Sequence, residues 1–356
     1  MITFGLYGSG WRSEYFLRVA KLLPHQFHID GIVTRSEEKS QYFKEHFGVD
    51  VYGTLADYLK EKTPLFIVES VNKGVSESMT NDILNQGIPV LMETPAGKDM
   101  ESMIRLYERV KQGAKIQIAE QYPDHPQHVS RHRLVAKGLL GEVGHVHVSF
   151  SHGYHNVALM RQLLGITFEN VRITARSFPV NVANGVSRTG IPTEDNITEQ
   201  IQTVATLQFD NGKTGIYNFE MNQHRSWVRT PLIQVKGTHG EIFNETVKYL
   251  MDYQTPVEMP LMRINMGENQ NVEGFGFKGI LMGDRWLYKN PYLDGRLSDD
   301  EIAVATILEK MAHYVLTDEP FYDFALGCQD MYIGMLIEES AKLEEDVVST
   351  TQIWAK

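Results

Sequence analysis

The first twenty residues, MITFGLYGSGWRSEYFLRVA, constrain the fold of this chain more than any other stretch. Residues 3–7 are apolar and predict a short buried strand, residues 8–10 predict a tight turn, and Ser13 is the expected N-cap of the helix that follows. Gly8 permits the turn, and Gly10 lets the backbone approach a pyrophosphate at the helix N-terminus. The stretch therefore predicts a dinucleotide-binding unit.

The dinucleotide fingerprint Gly-x-Gly-x-x-Gly is nearly complete, because Ser13 stands where its third glycine is expected. Either the helix packs slightly less closely on the strand at this point, or the Ser13 hydroxyl helps to bind phosphate. A glycine turn that binds no ligand is the structural alternative.

Short apolar strands alternate with amphipathic helices through the first third of the chain. Further strands are predicted at 28–33, 51–52, 65–69, 90–93 and 115–120, with helices near 36–47, 76–86 and 100–112. This alternation predicts an α/β fold with a doubly wound parallel sheet, in which ligands bind beyond the carboxyl ends of the strands. The candidate binding residues therefore lie at 8–13, 34–36, 70–73 and 93–95.

The residues after the second predicted strand indicate which cofactor is preferred. A carboxylate is expected there for NAD, whereas this chain has Thr34-Arg35-Ser36. A guanidinium flanked by two hydroxyls suits a phosphate group, so we expect NADP to be favoured over NAD. The alternative is a surface turn that caps the next helix.

The rest of the chain, from residue 122, predicts a second α/β domain whose clustered strands favour a mostly antiparallel sheet. We expect domains at 1–121 and 122–356. The turn Asp210-Asn211-Gly212 predicts a hairpin. Ser298 and Glu301 predict a capping box for a helix to about residue 316, and a last helix is expected at about 323–343. Residues 253–295 show little periodicity and are expected to form long loops.

Charge and composition exclude several classes of protein. The formal net charge of −11 argues against a general nucleic-acid binder and against a protein of anionic membrane surfaces. No apolar run approaches the roughly 20 residues of a membrane span. The single Cys328 rules out an internal disulfide framework, and the chain begins on a strand without a basic and then apolar leader. The expected location is the cytoplasm.

Several stretches together carry a resemblance to a known family. Besides the glycine turn, these are GIVTRSEEKSQYFKEHFGVDVYGTLADYL, VESVNKG, LMETPAG and GEVGHVHVSFSHGYHNVALMRQLLG, in this order. As a set they resemble the glucose-fructose oxidoreductase and inositol dehydrogenase (Gfo/Idh/MocA) family. The resemblance implies a Rossmann domain, a C-terminal α/β domain with a large, mostly antiparallel sheet, and an NAD(P)-dependent oxidoreductase of sugars, polyols or their derivatives. It also implies a homodimer or homotetramer.

The chain departs from the family at two catalytic positions. The usual Glu-Lys-Pro is Glu93-Thr94-Pro95 here, so the lysine that commonly assists proton transfer is missing. The usual His-x-x-Asp retains only His155, because Ala158 stands where the aspartate is expected. The resemblance also implies a cis bond at Thr94-Pro95. Lys73 and Arg161 are the candidate substitute cations.

The expected substrate residues follow a predicted strand at 145–151. His155 is the candidate general acid/base, Tyr154 and His152 would orient the substrate, and Thr94 and Asn72 offer neutral hydrogen bonds. The alternative for either histidine is a helix cap or a buried, hydrogen-bonded ring. Residues 120–122 end the last Rossmann strand and either reach the same cleft or form a domain-boundary turn.

The thirteen histidines include close pairs, but none has cysteine partners or a His-Glu-x-x-His frame, so no metal site is expected. Two functions remain, an oxidoreductase and a nucleotide- and sugar-binding sensor that performs no redox chemistry. Both need a small-molecule ligand and neither needs nucleic acid or a membrane. The expected cofactor-binding residues are Gly8, Ser9, Gly10, Trp11, Arg12, Ser13, Thr34, Arg35, Ser70, Asn72 and Glu93.

Overall fold

The computed structural model describes residues 1–188, 190–267 and 276–355. The chain divides into two compact units, each assembled from three segments. The first unit comprises Met1–Pro126, Arg263–Gly279 and Tyr288–Cys328, and the second comprises Gln127–Met262, Ile280–Leu287 and Gln329–Lys356. A domain boundary after residue 121 stays a prediction.

The first unit contains a six-stranded parallel sheet with the strand order β3-β2-β1-β4-β5-β6. The strands are β1 (Ile2–Tyr7), β2 (Phe27–Val33), β3 (Val51–Tyr52), β4 (Ile67–Glu69), β5 (Val90–Met92) and β6 (Ile116–Ile118). The strand order reverses between β1 and β4, which makes this the switch point where ligands bind in such sheets. The predicted doubly wound fold is confirmed.

Five helices connect these strands: α1 (Ser13–Leu22), α2 (Glu37–Phe47), α3 (Leu55–Glu61), α4 (Lys73–Leu84) and α5 (Met100–Lys111). The central strands are buried on both faces, as Phe4, Val68 and Leu91 show. Helix α3 did not appear in the sequence analysis, although Thr54 caps it by accepting a hydrogen bond from the Asp57 N–H.

The second sheet has eleven strands in the order β16-β15-β14-β13-β12-β11-β7-β10-β9-β8-β17. Its strands are β7 (Val143–Ser149), β8 (Val171–Ala183), β9 (Ile197–Phe209), β10 (Thr214–Glu220), β11 (Leu232–Gly237), β12 (Gly240–Phe243), β13 (Thr246–Leu250), β14 (Pro256–Asn265), β15 (Phe277–Met282), β16 (Arg285–Lys289) and β17 (Val347–Val348). The remaining helices are α6 (Pro126–Ala136), α7 (Gly153–Leu164), α8 (Asp299–Thr317) and α9 (Phe324–Leu343). The predicted mostly antiparallel sheet is confirmed, and so is the capping box of Ser298 and Glu301 on α8.

Strands β7 and β10 are neighbours that run parallel, and β8 runs in the same direction because it pairs antiparallel with β9, which pairs antiparallel with β10. The carboxyl ends of all three therefore lie at one edge of the sheet. The β8–β9 hairpin extends beyond β10, because Glu220 at the end of β10 pairs with Gln202, whereas the hairpin continues to the pair Ala183 and Ile197.

The expectation of long loops at 253–295 is wrong for most of the residues described there, which form β14, β15 and β16. Strand β14 does alternate, since Val257, Met259 and Leu261 are more buried than their neighbours. Pro256 and Pro260 lie within this alternating pattern. A strand was not predicted there, because proline in a sequence usually argues against a strand. Residues 268–275 of that expectation lie outside the described residues.

The turn after β1 yields a stability prediction. Gly8 has a φ of 127°, and a β-carbon there would lie 2.0 Å from the Ser70 carbonyl oxygen. We expect Gly8→Ala to lower the free energy of unfolding by about 2–5 kcal/mol, from backbone strain and overpacking combined. Urea unfolding measures this loss.

Gly48→Ala is the matched control. Gly48 also has a positive φ, 65°, but nothing lies within 4 Å of its added β-carbon. It should lose only about 1–2 kcal/mol. Equal losses in the two variants would contradict the role assigned to the Ser70 carbonyl.

Candidate functional site

Backbone hydrogen bonds join the glycine turn of the first unit and the strand before it to the ends of the neighbouring strands β2 and β4. The Gly8 N–H donates to the Val33 carbonyl (3.0 Å), and the Ser70 N–H donates to the Tyr7 carbonyl (2.9 Å). A β-carbon on Gly10, by contrast, would have only the Ser70 carbonyl oxygen as a neighbour, at 4.0 Å. The space above Gly10 is therefore open, and the turn fits the pyrophosphate of a dinucleotide.

The prediction that Ser13 is the N-cap of α1 is wrong. Arg12 holds that position with helical backbone angles and without a side-chain cap, and Ser13 is the first helical residue. Its side chain is completely buried, and its hydroxyl has no hydrogen-bond partner. The turn enters the helix one residue earlier than the pattern implied, so this hydroxyl points into the protein and is not exposed to a ligand.

Arg12, an expected cofactor residue, is part of an ion-pair cluster. Its Nε donates to Glu93 (2.9 Å) and its Nη1 to Asp300 on α8 (3.0 Å). Burial raises the pKa of Glu93, and Arg12 opposes this rise. Burial also works against ionised Asp300, but hydrogen bonds from His125 and Arg12 and their charges outweigh it and lower the pKa of Asp300 to about 2.

The Thr34-Arg35-Ser36 segment uses both of its hydroxyls internally. The Thr34 hydroxyl donates to Ser9 (2.8 Å), and Ser36 caps α2 by accepting from the Lys39 N–H (3.3 Å). Arg35 itself is exposed. The capping alternative is therefore correct for Ser36, and the clamp of one guanidinium and two hydroxyls stays a prediction.

A cleft of about 710 Å³ opens beside Arg35 in the first unit. Lys60 and Asp82 place a second cation and a carboxylate in its wall. The sequence analysis did not predict these lining residues. Gly53 and Thr54 directly follow β3, so the expectation that ligands bind beyond the carboxyl ends of the strands could have identified them. The lining residues are Tyr7, Arg35, Gly53, Thr54, Leu55, Ala56, Leu59, Lys60, Met79, Asp82, Asn85 and Gln86.

The other expected residues of the first unit lie at strand ends or on the surface. Asn72 caps α4 by accepting from the Gly74 N–H (2.9 Å) through its side-chain oxygen, and its expected hydrogen bonds near the nicotinamide stay a prediction. Lys73 is exposed at the first position of α4, and Thr94 is half-buried. The Thr94-Pro95 bond is cis, as the resemblance implied. Trp11 is 47% exposed and contacts the Tyr15 ring edge-on.

Buried glutamates follow or end three adjacent strands of the parallel sheet. Glu69 ends β4, Glu93 follows β5 and Glu120 lies two residues beyond β6. Burial raises the pKa of Glu69 well above its usual value, and one of its oxygens has no hydrogen-bond partner. Burial also raises the pKa of Glu120 to about 8, although the Tyr122 N–H and Arg12 oppose this rise.

In the second unit, the expected catalytic residues follow β7 at the edge described above. Helix α7 begins at Gly153, with His152 as its N-cap residue. Buried Asn156 orders the connection by accepting a hydrogen bond from the Ser151 N–H (2.7 Å). The Gly153 N–H donates to the Tyr217 hydroxyl of β10 (3.0 Å), which joins the start of α7 to the parallel neighbour of β7.

A short 3-10 helix, Gln223–Arg225, follows β10 at the same edge. The buried Gln223 side chain donates to the Ser149 carbonyl (2.8 Å) at the end of β7. Gln223 therefore fixes this helix beside the segment that carries His152 and His155.

The rings at this edge form a cluster that includes a histidine missing from the sequence analysis. The His152 ring centroid lies 5.0 Å from that of His155 and 6.4 Å from that of Phe219, and the Phe219 ring stacks on His224 at 6.1 Å. The Tyr154 ring lies 4.4 Å from that of His155. The structure therefore brings the predicted residues 152, 154 and 155 together and adds His224.

Two of these imidazoles are neutral at pH 7. Burial and nearby His155 lower the pKa of His152 to about 4. Burial, Arg225, His152 and Arg188 lower the pKa of His224 to about 4 as well. Neutral rings can both donate and accept a hydrogen bond, as recognition of a hydroxyl group requires.

The expectation that Arg161 supplies a cation to the reaction is wrong. Arg161 is buried, forms an ion pair with Asp330 of α9 and donates through Nε to the Thr167 carbonyl (2.9 Å). Its charge is used to hold α7. Ala158, where the family usually has aspartate, is buried as well.

No group of three or more potential metal ligands occurs within residues 1–188, 190–267 and 276–355. Within the same ranges, no helix has the length and apolar character that crossing a membrane requires.

The elevated pKa of Glu120 predicts a pH-dependent stability. Folded Glu120 holds its proton up to about pH 8, whereas an unfolded glutamate loses it near 4.5, so its contribution to stability declines as the pH rises between these values. Glu120→Gln should remove this dependence and raise the free energy of unfolding at pH 9, by up to about 5 kcal/mol, with little change at pH 4.5. Denaturant unfolding across this pH range measures the effect.

Glu101→Gln serves as the control, because the Glu101 side chain is 85% exposed. It should leave the pH profile unchanged. A Glu120→Gln profile that parallels the wild type from pH 4.5 to 9 would contradict the assignment.

Comparison with known proteins gives the following. No curated protein sequence matches the chain. Residues 2–120 match the family model described as "Oxidoreductase family, NAD-binding Rossmann fold" (GFO_IDH_MocA).

Solved structures match over nearly the full length. An NAD binding oxidoreductase from Klebsiella pneumoniae has a TM-score of 0.71 at 15% identity, covering 99% of this chain and 100% of that one. A myo-inositol dehydrogenase from Corynebacterium glutamicum has a TM-score of 0.67 at 15% identity, with coverage of 99% and 100%. A levoglucosan dehydrogenase in complex with NADH has a TM-score of 0.69 at 14% identity, again covering 99% and 100%.

At these identities the solved structures establish the fold alone. The match of residues 2–120, about a third of the chain, shows a similarity to the Gfo/Idh/MocA family of oxidoreductases with an NAD-binding Rossmann fold.

Proposed function

We propose that this protein is an NAD(P)-dependent oxidoreductase that transfers a hydride to or from a sugar, polyol or sugar derivative. The glycine turn at the switch point carries this proposal. Gly8 admits only a residue without a β-carbon, whereas the space above Gly10 is open, and this combination leaves room for a pyrophosphate against the backbone. The family and the structures named above, which include sugar and polyol dehydrogenases, support the same class of reaction.

The nicotinamide, when bound, supplies the hydride chemistry. What remains for the protein is to bind the dinucleotide and to move the hydroxyl proton of the substrate. We assign that proton to His155, which is buried in the first turn of α7, with its ring centroid 5.0 Å from that of His152 and 4.4 Å from that of Tyr154. His152, neutral at pH 7, and Tyr154 would orient the substrate.

The missing family lysine leaves the charge of a developing alkoxide without its usual partner. Thr94 offers a hydroxyl only, and Arg161 is committed to Asp330. Lys73 is exposed at the start of α4 and remains the substitute cation of this proposal. The acid/base step therefore depends on the imidazole of His155.

The role of His155 predicts a loss of turnover. General acid/base catalysis typically contributes about 10²–10⁴-fold, so His155→Ala should lower kcat by that factor while nucleotide affinity stays unchanged. A panel of sugars and polyols, followed by NAD(P)H absorbance, measures kcat, and fluorescence titration measures affinity. The control His239→Ala changes an exposed ring and should keep full activity. Full activity in His155→Ala would show that another group moves the proton.

Two observations favour a second function, that of a non-catalytic sensor of nucleotide and sugar. Both polar partners that the family usually places around the reaction are absent here, since positions 94 and 158 are threonine and alanine. The same panel separates the two functions. If the protein binds NAD(P)H and a sugar but shows no turnover, the oxidoreductase proposal is wrong and the sensor function is supported.

Arg35 is the basis for proposing that NADP is preferred over NAD. Its guanidinium is exposed at the end of β2 and lines the cleft together with Lys60. Asp82 in the same wall works against a phosphate group, so the expected preference is moderate.

Arg35→Asp tests this preference. A charge-assisted hydrogen bond contributes about 1.5–3 kcal/mol, so wild-type protein should bind NADPH at least tenfold more tightly than NADH, and the variant should lose or invert this ratio. Fluorescence titration with both nucleotides measures it. Lys44→Asp makes the same charge change on exposed α2, outside the cleft, and should retain the ratio. Equal affinities of the wild-type protein for NADPH and NADH would contradict the proposed preference for NADP.

We also propose that the protein acts as a cytoplasmic homo-oligomer. Ile197 and Ile201 expose about half or more of their surface on one face of the long strand β9, which is typical of a surface that another chain covers. Sedimentation velocity at micromolar concentration should show a dimer or tetramer, and a monomer would contradict this assembly.

A further inference from the structure

We propose that the second unit binds its substrate through an anionic group, so that the natural ligand is a sugar acid or a sugar phosphate rather than a neutral sugar or polyol. The site is the cationic edge, which we define as Arg188, Arg225, His152, His155 and His224. The inference rests on the proposed function for the sugar part of the ligand, and on the cationic edge alone for the anionic part.

The strand order brings these residues to one place. His152 and His155 follow β7, His224 and Arg225 follow its parallel neighbour β10, and Arg188 lies in the connection that follows β8. All three strands end at the same edge of the sheet. The ring contacts from His155 through His152 and Phe219 to His224 show that the segments after β7 and β10 do meet there.

The connection after β8 is held closely against the segment after β10. A β-carbon on Gly185 would lie 2.0 Å from the Arg225 carbonyl oxygen, so only glycine permits this approach. Arg188 follows three residues later, and its charge, like that of Arg225, acts on the His224 imidazole. Both guanidinium groups therefore contribute positive potential at the same imidazole.

Arg225 carries the argument for an external anion. Its side chain is half-buried and forms no hydrogen bond or ion pair with any residue of the described ranges. A guanidinium that is partly removed from water gains from a carboxylate or phosphate, which it can bind through two parallel hydrogen bonds.

Three described carboxylates lie near Arg225 in the sequence or in the connection after β8, and none of them pairs with Arg225. Glu220 at the end of β10 accepts a hydrogen bond from Arg229 through Oε2 (2.8 Å), while its Oε1 is buried without a hydrogen-bond partner. Glu194 and Asp195 lie farther along the connection after β8 and are exposed. The principal charges that act on His224 are Arg225 and Arg188, with the His152 and His155 rings, and all of them lower its pKa.

The two neutral imidazoles complete the description of the ligand. His152 and His224 can each donate to or accept from a hydroxyl group, while the arginines favour a negative charge. A small molecule that carries both hydroxyls and one anionic group satisfies both kinds of residue.

Matched sets of ligands test the proposal by binding, independently of turnover. Isothermal titration of the full-length protein, saturated with NADPH, compares D-glucose, D-glucuronate and D-glucose 6-phosphate, and likewise D-galactose, D-galacturonate and D-galactose 6-phosphate. We expect at least one anionic member to bind tenfold or more tightly than its neutral parent. Preference for the uronate identifies a carboxylate ligand, and preference for the phosphate identifies a phosphorylated one.

A pair of variants assigns the effect to the cationic edge. Arg225→Gln should weaken binding of the preferred anionic ligand tenfold or more and leave the neutral parent unchanged. Arg172→Gln removes the same charge from β8, where Arg172 is exposed and pairs with Asp346 (3.6 Å), and should change neither affinity.

Three results would overturn the proposal: neutral sugars that bind as tightly as the anionic ones, no binding by any anionic member, or an Arg225→Gln variant that weakens both kinds of ligand equally. The proposed oxidoreductase fails on a different measurement, the absence of NAD(P)H turnover. An anion preference without turnover would support this inference and favour the sensor.

Discussion

The close approach of the Ser70 carbonyl oxygen to residue 8 is the constraint on which the first unit depends. Strands β1 and β4 are neighbours at the point where the strand order reverses, and the segments after them converge until only glycine fits at position 8. The same convergence leaves the backbone at Gly10 open. The close approach of the Ser70 carbonyl thus explains why only glycine fits at position 8. The open backbone at Gly10 provides the space in which a phosphate group can lie.

Features that depend on a few consecutive residues could be predicted from the sequence. These include the glycine turn, the Ser36 cap, the hairpin at 210–212 and the capping box of α8. Ser13 shows the limit of this reasoning, since the turn winds into the helix one residue early and only the folded backbone reveals it. His224 and Arg225 could not be found because their position beside His152 results from the parallel pairing of β7 with β10, which no local pattern encodes.

Compared with the family pattern, the site lacks two charged side chains, and other charged side chains of this protein pair with one another inside its two units. The lysine and aspartate are replaced by neutral residues, while the guanidinium groups of Arg12 and Arg161 are held by carboxylates inside their own units. Burial raises the pKa values of Glu69, which ends β4, and of Glu120, which lies beyond β6. Whether such a protein is an enzyme or a sensor depends on how far one imidazole can act without a cationic partner.

Helix α8 has a consequence for how the chain is made. It packs on α1, where Asp300 binds Arg12 (3.0 Å) and Glu301 binds Arg18 (2.8 Å), yet it follows nearly all strands of the second sheet in the sequence. On the ribosome, the Rossmann strands therefore emerge long before the helix that completes their unit. Until α8 has been synthesised, Arg12 lacks the Asp300 carboxylate, Arg18 lacks the Glu301 carboxylate, and the α8-facing side of α1 stays open to water. The first unit therefore reaches its complete packing only late in the synthesis of the chain.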